Sequence, residues 1–411
     1  MFERNTKSRL ESHPGLTSEA AGLLTDDLIL EIFSRLPARS LHRFKCVSVS
    51  WRDLITDPAN RNKLSQTLAG FLYTSPGGRD HHFASVSGDG AAPFDLSLPY
   101  LRNDKDDKGI TLVDACNGLL LCRRHKKNKA TPWKENDFGF VVCNPVTGRW
   151  VELPPQPQAP PRRYTHTAGL AFDPAISSHF HVLHFEETYT GSYITGVNIY
   201  SSRTGAWSHR DISGMVEKVT LFSRSKCVSA GGMMYLMGNL EEMNGEYVLV
   251  EVDMEGKVWK TIRTPYGQRF GTIGLSQGCL HYVVASVGDY NAIQFTEIAL
   301  WCLKDRDSKE LVLKHTANIN KLMSMTGKMY MVAEIHPDCD TIFLVSFGGD
   351  TLAAYDMRHQ KVGCILNVEK NTRWFRPYVP LFSESLADED CRQCYLQTTL
   401  VLPQRIGSSV G

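Results

Sequence analysis

The sequence predicts two parts of different structural class, a short all-α segment near the N-terminus and a much larger all-β region after it. Between residues 23 and 55, apolar residues recur at the 3.6-residue period of a helix. From residue 69 onward, short aromatic and β-branched runs alternate with Gly, Pro, Asn and Asp, which is typical of strands joined by tight turns. The 411 residues are enough for one large or two ordinary domains with their own cores.

The first helix is predicted to start at Thr25, Asp26 and Asp27, because a hydroxyl can cap a helix and carboxylates favour its positive end. Pro37 ends it, since proline cannot continue a helix. Leu30 lies about 200° from Leu28 around the helix, so apolar surface extends beyond one packing face. The predicted apolar stripe consists of Leu28, Ile29, Ile32, Phe33 and Leu36.

Two further short helices are predicted at residues 40–45 and 48–55, the second with Val47, Trp51, Leu54 and Ile55 on its inner side. Three helices in about 35 residues cannot bury a self-sufficient core, and units this small usually need a staple or a partner. Cys46 has no cysteine nearby with which to form such a staple. The missing apolar cover must therefore come from the rest of the chain or from another protein.

The order of residues in this segment carries a family resemblance. The matching positions are Leu24, Asp27-Leu28, Glu31-Ile32, Arg35-Leu36-Pro37, Ser40-Leu41, Phe44, Cys46-Val47-Ser48, Ser50-Trp51-Arg52 and Leu54-Ile55. This pattern closely resembles the F-box, especially its plant version; Thr25 stands where that family usually has proline. The resemblance implies docking to a Skp-type adaptor, and through it to cullin and RING subunits. The alternative is an ordinary three-helix subdomain packed against its own chain.

The resemblance also implies which side chains contact the adaptor. The expected adaptor-binding residues are Leu24, Leu28, Leu30, Ile32, Leu36, Pro37, Leu41, Cys46, Val47, Trp51 and Leu54.

The all-β region contains two loosely repeated patterns. In the first, a glycine begins a strand about every 50 residues, at Gly118, Gly169, Gly231, Gly278 and Gly327. In the second, an apolar strand is followed by a tight turn and a tryptophan, at 141–150, 198–207 and 250–259. Asn144, Ser201 and Asp253 can start these turns by bonding to their own backbone, and Gly148 and Gly205 allow the positive φ that closes a hairpin. Trp150, Trp207 and Trp259 would cover the start of the returning strand.

Repeats of about 50 residues, each with several strands, favour the blades of a β-propeller over a sandwich. The motifs NPVTGRWVELP, GLAFDP and FSESL resemble the F-box-associated domain of plant F-box proteins, which is related to kelch-type propellers. We predict six blades, or seven, with the first closed by pairing of the two chain ends. The predicted domains are a disordered tail at 1–22, the F-box at 23–66, the propeller at 68–386 and a C-terminal tail at 387–411 with one strand, CYLQTTLVL.

Composition excludes several classes of function. The 45 basic and 44 acidic residues leave a net charge of +1, which gives no electrostatic basis for binding nucleic acid or an anionic membrane. No apolar run is long enough to span a bilayer, and the N-terminus lacks the apolar core of a signal peptide. The eleven cysteines are therefore expected to be reduced core thiols of a cytoplasmic or nuclear protein.

Short motifs that could carry chemistry are better explained as structural. The sequence GLSQG at 274–278 has the spacing of a nucleophile elbow around Ser276, but a strand pattern follows it where that motif needs a helix. Cys391 and Cys394 form one C-x-x-C pair without the second pair that zinc requires. His179, His181 and His184 lie on a short strand-like run, in which the first two share a face but no carboxylate or third ligand is placed with them. No metal, cofactor or catalytic residue is predicted.

Two surface segments have an open alternative. The basic run RRHKKNK at 123–129 is interpreted as a solvated hairpin loop, or else as a nuclear-import patch or phosphate-binding loop. The proline-rich run at 154–161 is interpreted as a stiff connection between blades, or else as an extended docking site.

The leading functional hypothesis is a non-catalytic substrate-recognition subunit of an SCF-type E3 ubiquitin ligase. The F-box would hold the adaptor and the propeller would bind an unknown client protein through loops such as 123–137, 154–167, 186–195 and 286–296. One alternative is an F-box receptor for a glycan or small molecule, using Tyr164, Tyr189, Tyr193, Tyr290 and Trp374. A less favoured alternative is an enzyme built on a propeller.

Overall fold

The structure is a computed structural model of the chain, and it divides into two compact units, Met1–Ser65 and Gln66–Gly411. The residues it describes are 25–34, 36, 41, 44, 47–57, 60, 64, 67–74, 81–86, 92–101, 107–126, 138–157, 163–187, 193–212, 217–222, 225–240, 246–265, 271–286, 297–304, 309–369, 375–381 and 386.

The first unit contains α1 (Asp26–Ser34) and α2 (Val49–Thr56), as the sequence predicts. Thr25 starts α1, because its carbonyl accepts a hydrogen bond from the Ile29 amide at 3.0 Å. Ser48 caps α2 with its hydroxyl, which accepts from the Trp51 amide at 3.1 Å. Most of the predicted middle helix lies outside the described residues.

The packing face of α1 differs from the predicted stripe. Ile29, Leu30 and Phe33 are its buried residues, whereas Leu28 and Ile32 are exposed. The three buried side chains fall within about 100° of one another around the helix, on the side away from Leu28. The stripe prediction was wrong in assigning Leu28 and Ile32 to the same face as Phe33, although apolar surface does extend beyond one face.

The second unit is a β-propeller. Within the described residues its strands form six antiparallel sheets, which we call blades 1 to 6. Blade 1 is β3 (Asp107–Cys116), β4 (Leu119–Lys126), β5 (Phe138–Asn144) and β6 (Arg149–Glu152); blade 2 is β7 (Arg163–Phe172), β8 (Phe180–Glu187), β9 (Ile194–Ser201) and β10 (Ala206–Asp211). Blade 3 is β11 (Val219–Leu221), β12 (Val228–Ala230), β13 (Met233–Leu240), β14 (Tyr247–Asp253) and β15 (Trp259–Arg263). Blade 4 is β16 (Gly271–Ser276), β17 (Cys279–Ser286), β18 (Glu297–Leu303) and β19 (Leu311–Asn318). Blade 5 is β20 (Tyr330–Ile335), β21 (Thr341–Ser346), β22 (Thr351–Asp356) and β23 (Lys361–Asn367); blade 6 is β24 (Phe375–Tyr378), β1 (Gly70–Thr74) and β2 (His81–Ser85).

The innermost strands close a ring. β3 contacts β7, which contacts β12, and the sequence of neighbours continues through β16, β20 and β24 back to β3. Blades 1, 2, 4 and 5 are four-stranded meanders, so within each of them the chain moves outward from the ring and then crosses to the next blade. The predicted propeller with six blades is confirmed.

Blade 6 joins the two ends of the propeller sequence. β24, from the C-terminal side, pairs antiparallel with β1, with Gly70 opposite Tyr378 and Tyr73 opposite Phe375. Phe71 of β1 also packs against Phe343 of blade 5, with ring centroids 4.4 Å apart. The predicted closure by pairing of the chain ends is therefore confirmed.

The turns between the third and fourth strands follow the predicted chemistry. The Asn144 side chain accepts from the Val146 amide at 3.1 Å, and the Asp253 carboxylate accepts from the Lys257 amide at 2.7 Å. Gly148 and Gly205 adopt φ of 72° and 66°, which favours glycine. The three tryptophans lie at the start of the returning strands and pack half-buried on the core: Trp150, Trp207 and Trp259.

The glycine pattern proved less uniform than predicted. Gly118 and Gly278 directly precede the second strand of their blades and Gly231 lies two residues before β13, but Gly169 lies inside β7. Gly327 caps a short helix, α3 (Asn320–Thr326), with φ of 66°. Regular spacing in sequence therefore does not mark equivalent positions in every blade.

Candidate functional site

The N-terminal unit exposes an apolar face that its own core does not use. The side chains of Leu28 and Ile32 are 51% and 49% exposed, and those of Val47 and Val49 are 60% and 63% exposed. We call these four exposed residues, two on α1 and two at the start of α2, the apolar face. Large exposed apolar side chains grouped on one small unit are typical of a surface that binds another protein.

The amphipathic pattern of α1 explains why this face exists. Leu28 and Ile32 are four residues apart, so they lie about 40° from each other around the helix. Ile29, Leu30 and Phe33 are centred more than 100° away and are buried. One core can cover only one of these two sides, so the second side stays in contact with solvent unless a partner covers it.

An aromatic cluster fixes the relative position of the two helices. Phe33 of α1 packs edge-on against Trp51 of α2, with ring centroids 5.2 Å apart, and Phe44 lies 5.8 Å from Phe33 and 5.4 Å from Trp51. Aromatic pairs at these distances contribute about 0.5–1.5 kcal/mol beyond the area they bury. Trp51 is therefore part of the support for the apolar face, since it holds α2 against α1.

The predicted adaptor-binding residues fall into four groups. Leu24, Pro37 and Cys46 lie outside the described residues. Leu30 and Leu41 are buried. Leu36, Trp51 and Leu54 are half-buried, and Leu28, Ile32 and Val47 are exposed. Sequence reasoning missed Val49, whose only signal is an apolar β-branched residue directly after the capping Ser48.

The second unit has a group of charges on the inner strands of the propeller. Asp114 of β3 accepts a hydrogen bond from the Leu170 amide of β7 at 2.9 Å and forms an ion pair with Arg376 of β24 at 3.5 Å. Lys226, just before β12, forms an ion pair with Glu334 of β20. The two ion pairs thus connect four segments that lie far apart in sequence.

Burial dominates the electrostatics of this group. Burial raises the pKa of Asp114 to about 6, although Arg376 and the Leu170 amide act in the opposite direction. Burial also raises the pKa of Glu334 and lowers that of Lys226, while their mutual attraction opposes both shifts. Because each charge has an opposite partner, the arrangement is suited to holding the ring in register rather than to acid–base chemistry.

Comparison with known protein families matches both units. The family profile described as "F-box domain" matches residues 23–63. The profile described as "F-box protein At3g26010-like, beta-propeller" matches residues 96–406, which is well over half of the chain. The chain belongs to this F-box β-propeller family.

Individual relatives of this F-box propeller protein come from Arabidopsis thaliana. It is 30% identical to F-box protein At5g07610 over 222 residues, covering 50% of this chain and 49% of that relative. It is 25% identical to F-box protein At5g49610 over 340 residues, covering 79% of this chain and 86% of that relative. The chain thus spans about half the length of the first relative and most of the second.

Among solved structures, one chain of a nidogen/laminin complex is similar with 9% sequence identity and a TM-score of 0.41. The similarity covers 76% of this chain and 99% of that chain.

The GLSQG segment of the F-box propeller protein is a strand end and a hairpin turn. Ser276 is the last residue of β16, and β17 follows after two turn residues, so the predicted strand is confirmed. The Ser276 hydroxyl donates to the Cys339 carbonyl at 3.2 Å. This is a structural contact between blades 4 and 5.

The first two arginines of the basic run are held within blade 1. The Arg123 guanidinium lies 4.7 Å from the centroid of the Phe138 ring, and that of Arg124 lies 5.0 Å from the Trp150 ring. Arg124 also forms an ion pair with Glu152 at 2.8 Å. Residues 127–129 of this run lie outside the described residues.

The remaining candidate residues are only partly described. Cys391, Cys394, Pro160, Tyr189, Tyr290 and Trp374 lie outside the described residues, as does the side chain of Tyr164. Tyr193 has the ammonium of Lys218 over its ring at 5.3 Å, and His184 is buried beside Gln156 at 3.0 Å. In the described part of the chain, no three His, Cys, Asp or Glu side chains are grouped to hold a metal, and no helix could cross a membrane.

Proposed function

We propose that this protein is the substrate-recognition subunit of an SCF-type E3 ubiquitin ligase, in which the F-box docks a Skp-type adaptor and the propeller binds a client protein. The observation that carries the proposal is the apolar face, defined by Leu28, Ile32, Val47 and Val49. The adaptor would link the chain to cullin and RING subunits. Transfer of ubiquitin would then belong to those subunits, and this chain would act as a receptor without a catalytic residue.

The apolar face would supply a large share of the binding free energy of such a contact. Fully burying one Leu, Ile or Val side chain is worth about 1.5–3 kcal/mol. About half or more of each of the four residues is exposed, so covering them would contribute about 3–7 kcal/mol. Since a micromolar complex needs about 8 kcal/mol net, this face would supply much of the binding energy.

The remaining predicted contacts divide between the interface and its support. Leu24, Pro37 and Cys46 stay proposed contacts that complete the F-box segment, 23–66. Leu30 and Leu41 are buried, so we assign them to holding the helices in place rather than to direct contact. The half-buried residues Leu36, Trp51 and Leu54 would do both.

The topology of the propeller supports one face for the client. Strands within a blade alternate in direction, so connections between second and third strands leave the same face as connections between blades. The connections between second and third strands are residues 127–137, 188–193 and 287–296. Residues 153–162 connect blade 1 to blade 2. We propose that the client binds at this shared face of the propeller, which is opposite the face where β1 begins.

A pull-down of a Skp-type adaptor by the full-length chain tests the adaptor contact. We expect Leu28→Asp to abolish capture, because binding would then bury an unpaired carboxylate. The matched control is Ile176→Asp in the propeller, where an equally apolar side chain is 75% exposed and outside the apolar face. Undiminished capture by Leu28→Asp, or equal loss in both variants, would overturn the assignment.

A further inference from the structure

Two cysteine side chains lie on one face of neighbouring strands in blade 4. Cys302 of β18 is opposite His281 of β17, and Cys279 is two residues before His281 on the same strand. Residues two apart on a strand point to the same face, so Cys279 and Cys302 are diagonal neighbours across the ladder. Burial raises the pKa of Cys302, and the Cys279 thiol adds to that rise, so the two thiols are close enough to interact.

The position of Cys279 in the hairpin makes closure of a bond feasible. Diagonal neighbours have α-carbons about 7–8 Å apart, whereas a disulfide needs about 4.4–6.8 Å. Cys279 is opposite Ser276 in the last pair of the ladder, and it directly follows Gln277 and Gly278 with φ of 52° and 75°. Bringing the two α-carbons within disulfide range therefore needs an approach of about 1–2 Å between neighbouring strands.

The pair is also accessible to a small oxidant. Cys279 is exposed and Cys302 is half-buried. The Lys314 ammonium, which lies 3.4 Å from the His281 ring, lowers the pKa of Cys302, whereas burial, the Cys279 thiol and the Asp340 carboxylate raise it, and the net shift is upward. Oxidation of cysteine follows exposure, so the exposed Cys279 thiol is the one that meets the oxidant first.

We propose that Cys279 and Cys302 are a peroxide-reactive pair that forms a disulfide across blade 4. The Cys279 thiol gives up its proton, and the thiolate attacks hydrogen peroxide, so an S–O bond forms, the O–O bond breaks and hydroxide leaves, which takes up that proton to become the first water. The Cys302 thiolate then attacks the sulfenic sulfur, forming the S–S bond and releasing hydroxide, which is protonated to a second water. In sum, two thiols are oxidised to one disulfide and one peroxide is reduced to two waters.

The chain contains a matched pair that should not react. Cys122 of β4 is opposite Val141 of β5, and Cys143 is two residues further along β5, so these thiols are diagonal neighbours as well. Both are buried, and the neighbouring Cys143 thiol together with burial raises the pKa of Cys122 well above its usual value. Both pairs therefore lie on the second and third strands of a blade, along opposite diagonals of the ladder, and they differ in access to solvent.

Peptide mapping of the full-length chain tests the proposal. The folded protein is treated with millimolar hydrogen peroxide, its remaining thiols are alkylated, and it is digested with trypsin and a glutamate-specific protease. No Lys or Arg lies between residues 270 and 303, so trypsin alone leaves both cysteines in one peptide, and cleavage after Glu297 separates them. We expect the two halves to stay linked until a reductant is added, while Cys122 and Cys143 remain separate.

Two variants make the result decisive. Cys302→Ser should remove the link and leave Cys279 as a sulfenic acid that dimedone traps, whereas Cys122→Ser should leave the link unchanged. Circular dichroism before digestion checks that each variant is folded. Failure of the link to form in the folded chain, a link from Cys279 to any other cysteine, or equal oxidation of Cys122 and Cys143 would overturn the proposal.

Discussion

Truncating the apolar face without disturbing the core of the F-box is the sharpest perturbation that the structure offers. The double variant Leu28→Ala, Ile32→Ala removes two exposed side chains from α1. Alanine is the best helix former, so the helix itself should be retained. The buried residues on its other side, Ile29, Leu30 and Phe33, are untouched.

The expected loss of affinity follows from exposure. About half of each side chain is in solvent, and complete burial of Leu or Ile is worth about 1.5–3 kcal/mol. Covering the exposed half of each therefore contributes about 1 kcal/mol, or about 2 kcal/mol for the pair. A change of 1.4 kcal/mol is tenfold in Kd, so the double variant should bind a Skp-type adaptor about 30-fold more weakly.

Isothermal titration of the full-length chain with a Skp-type adaptor measures this change. Phe33→Ala is the matched control in the core, because it removes a buried ring that packs on Phe44 and Trp51. Removing a buried Phe costs about 3–5 kcal/mol, which a unit of this size cannot withstand. That variant should lose binding together with its helical circular dichroism signal.

The reasoning would be refuted by an unchanged Kd in the double variant. It would also be refuted if the double variant lost affinity only in parallel with its helical circular dichroism signal, because the side chains of Leu28 and Ile32 would then be part of the core.

Two further predictions concern the propeller. Burial raises the pKa of Asp114 from 3.8 to about 6, so the folded state binds a proton more tightly than the unfolded state. The contribution of Asp114 to the free energy of unfolding should therefore increase as pH falls from 6 towards 4, by up to about 3 kcal/mol. Asp114→Asn should reduce this pH dependence in urea titrations at pH 4.5 and 7, and equal slopes in both proteins would contradict it. Gly118 has φ of 85°, and an added Cβ would lie 2.3 Å from the Leu381 Cβ, so Gly118→Ala should lower the melting temperature by several degrees. Gly205→Ala, at a positive φ of 66° in open space, should cost less, and an equal effect of both substitutions would contradict the role assigned to Leu381.

Local chemistry in the sequence predicted much of the fold. Thr25 and Ser48 start their helices as their hydroxyls suggest, and Asn144 and Asp253 form turns through bonds to nearby amides. These features depend on residues within five positions of each other, which a sequence pattern records directly. The blade repeat followed from them, since each turn fixes where a strand ends and the next begins.

Features that depend on distant residues could not be predicted in the same way. Asp114 and Arg376 meet because the ring brings β3 and β24 together, and no local pattern links them. The choice between Leu28 and Leu30 as the buried residue of α1 was set by packing rather than by helical period. The pairing of Cys279 with Cys302 likewise depends on strand register.

Hydrogen exchange of the full-length chain, with and without a Skp-type adaptor, tests the central claim most directly. If the apolar face docks the adaptor, the amides of Asp26–Ser34 and Val49–Thr56 should exchange more slowly in the complex, while the inner strands of the propeller keep their rates. No change in either helix, or protection confined to the propeller, would contradict the claim.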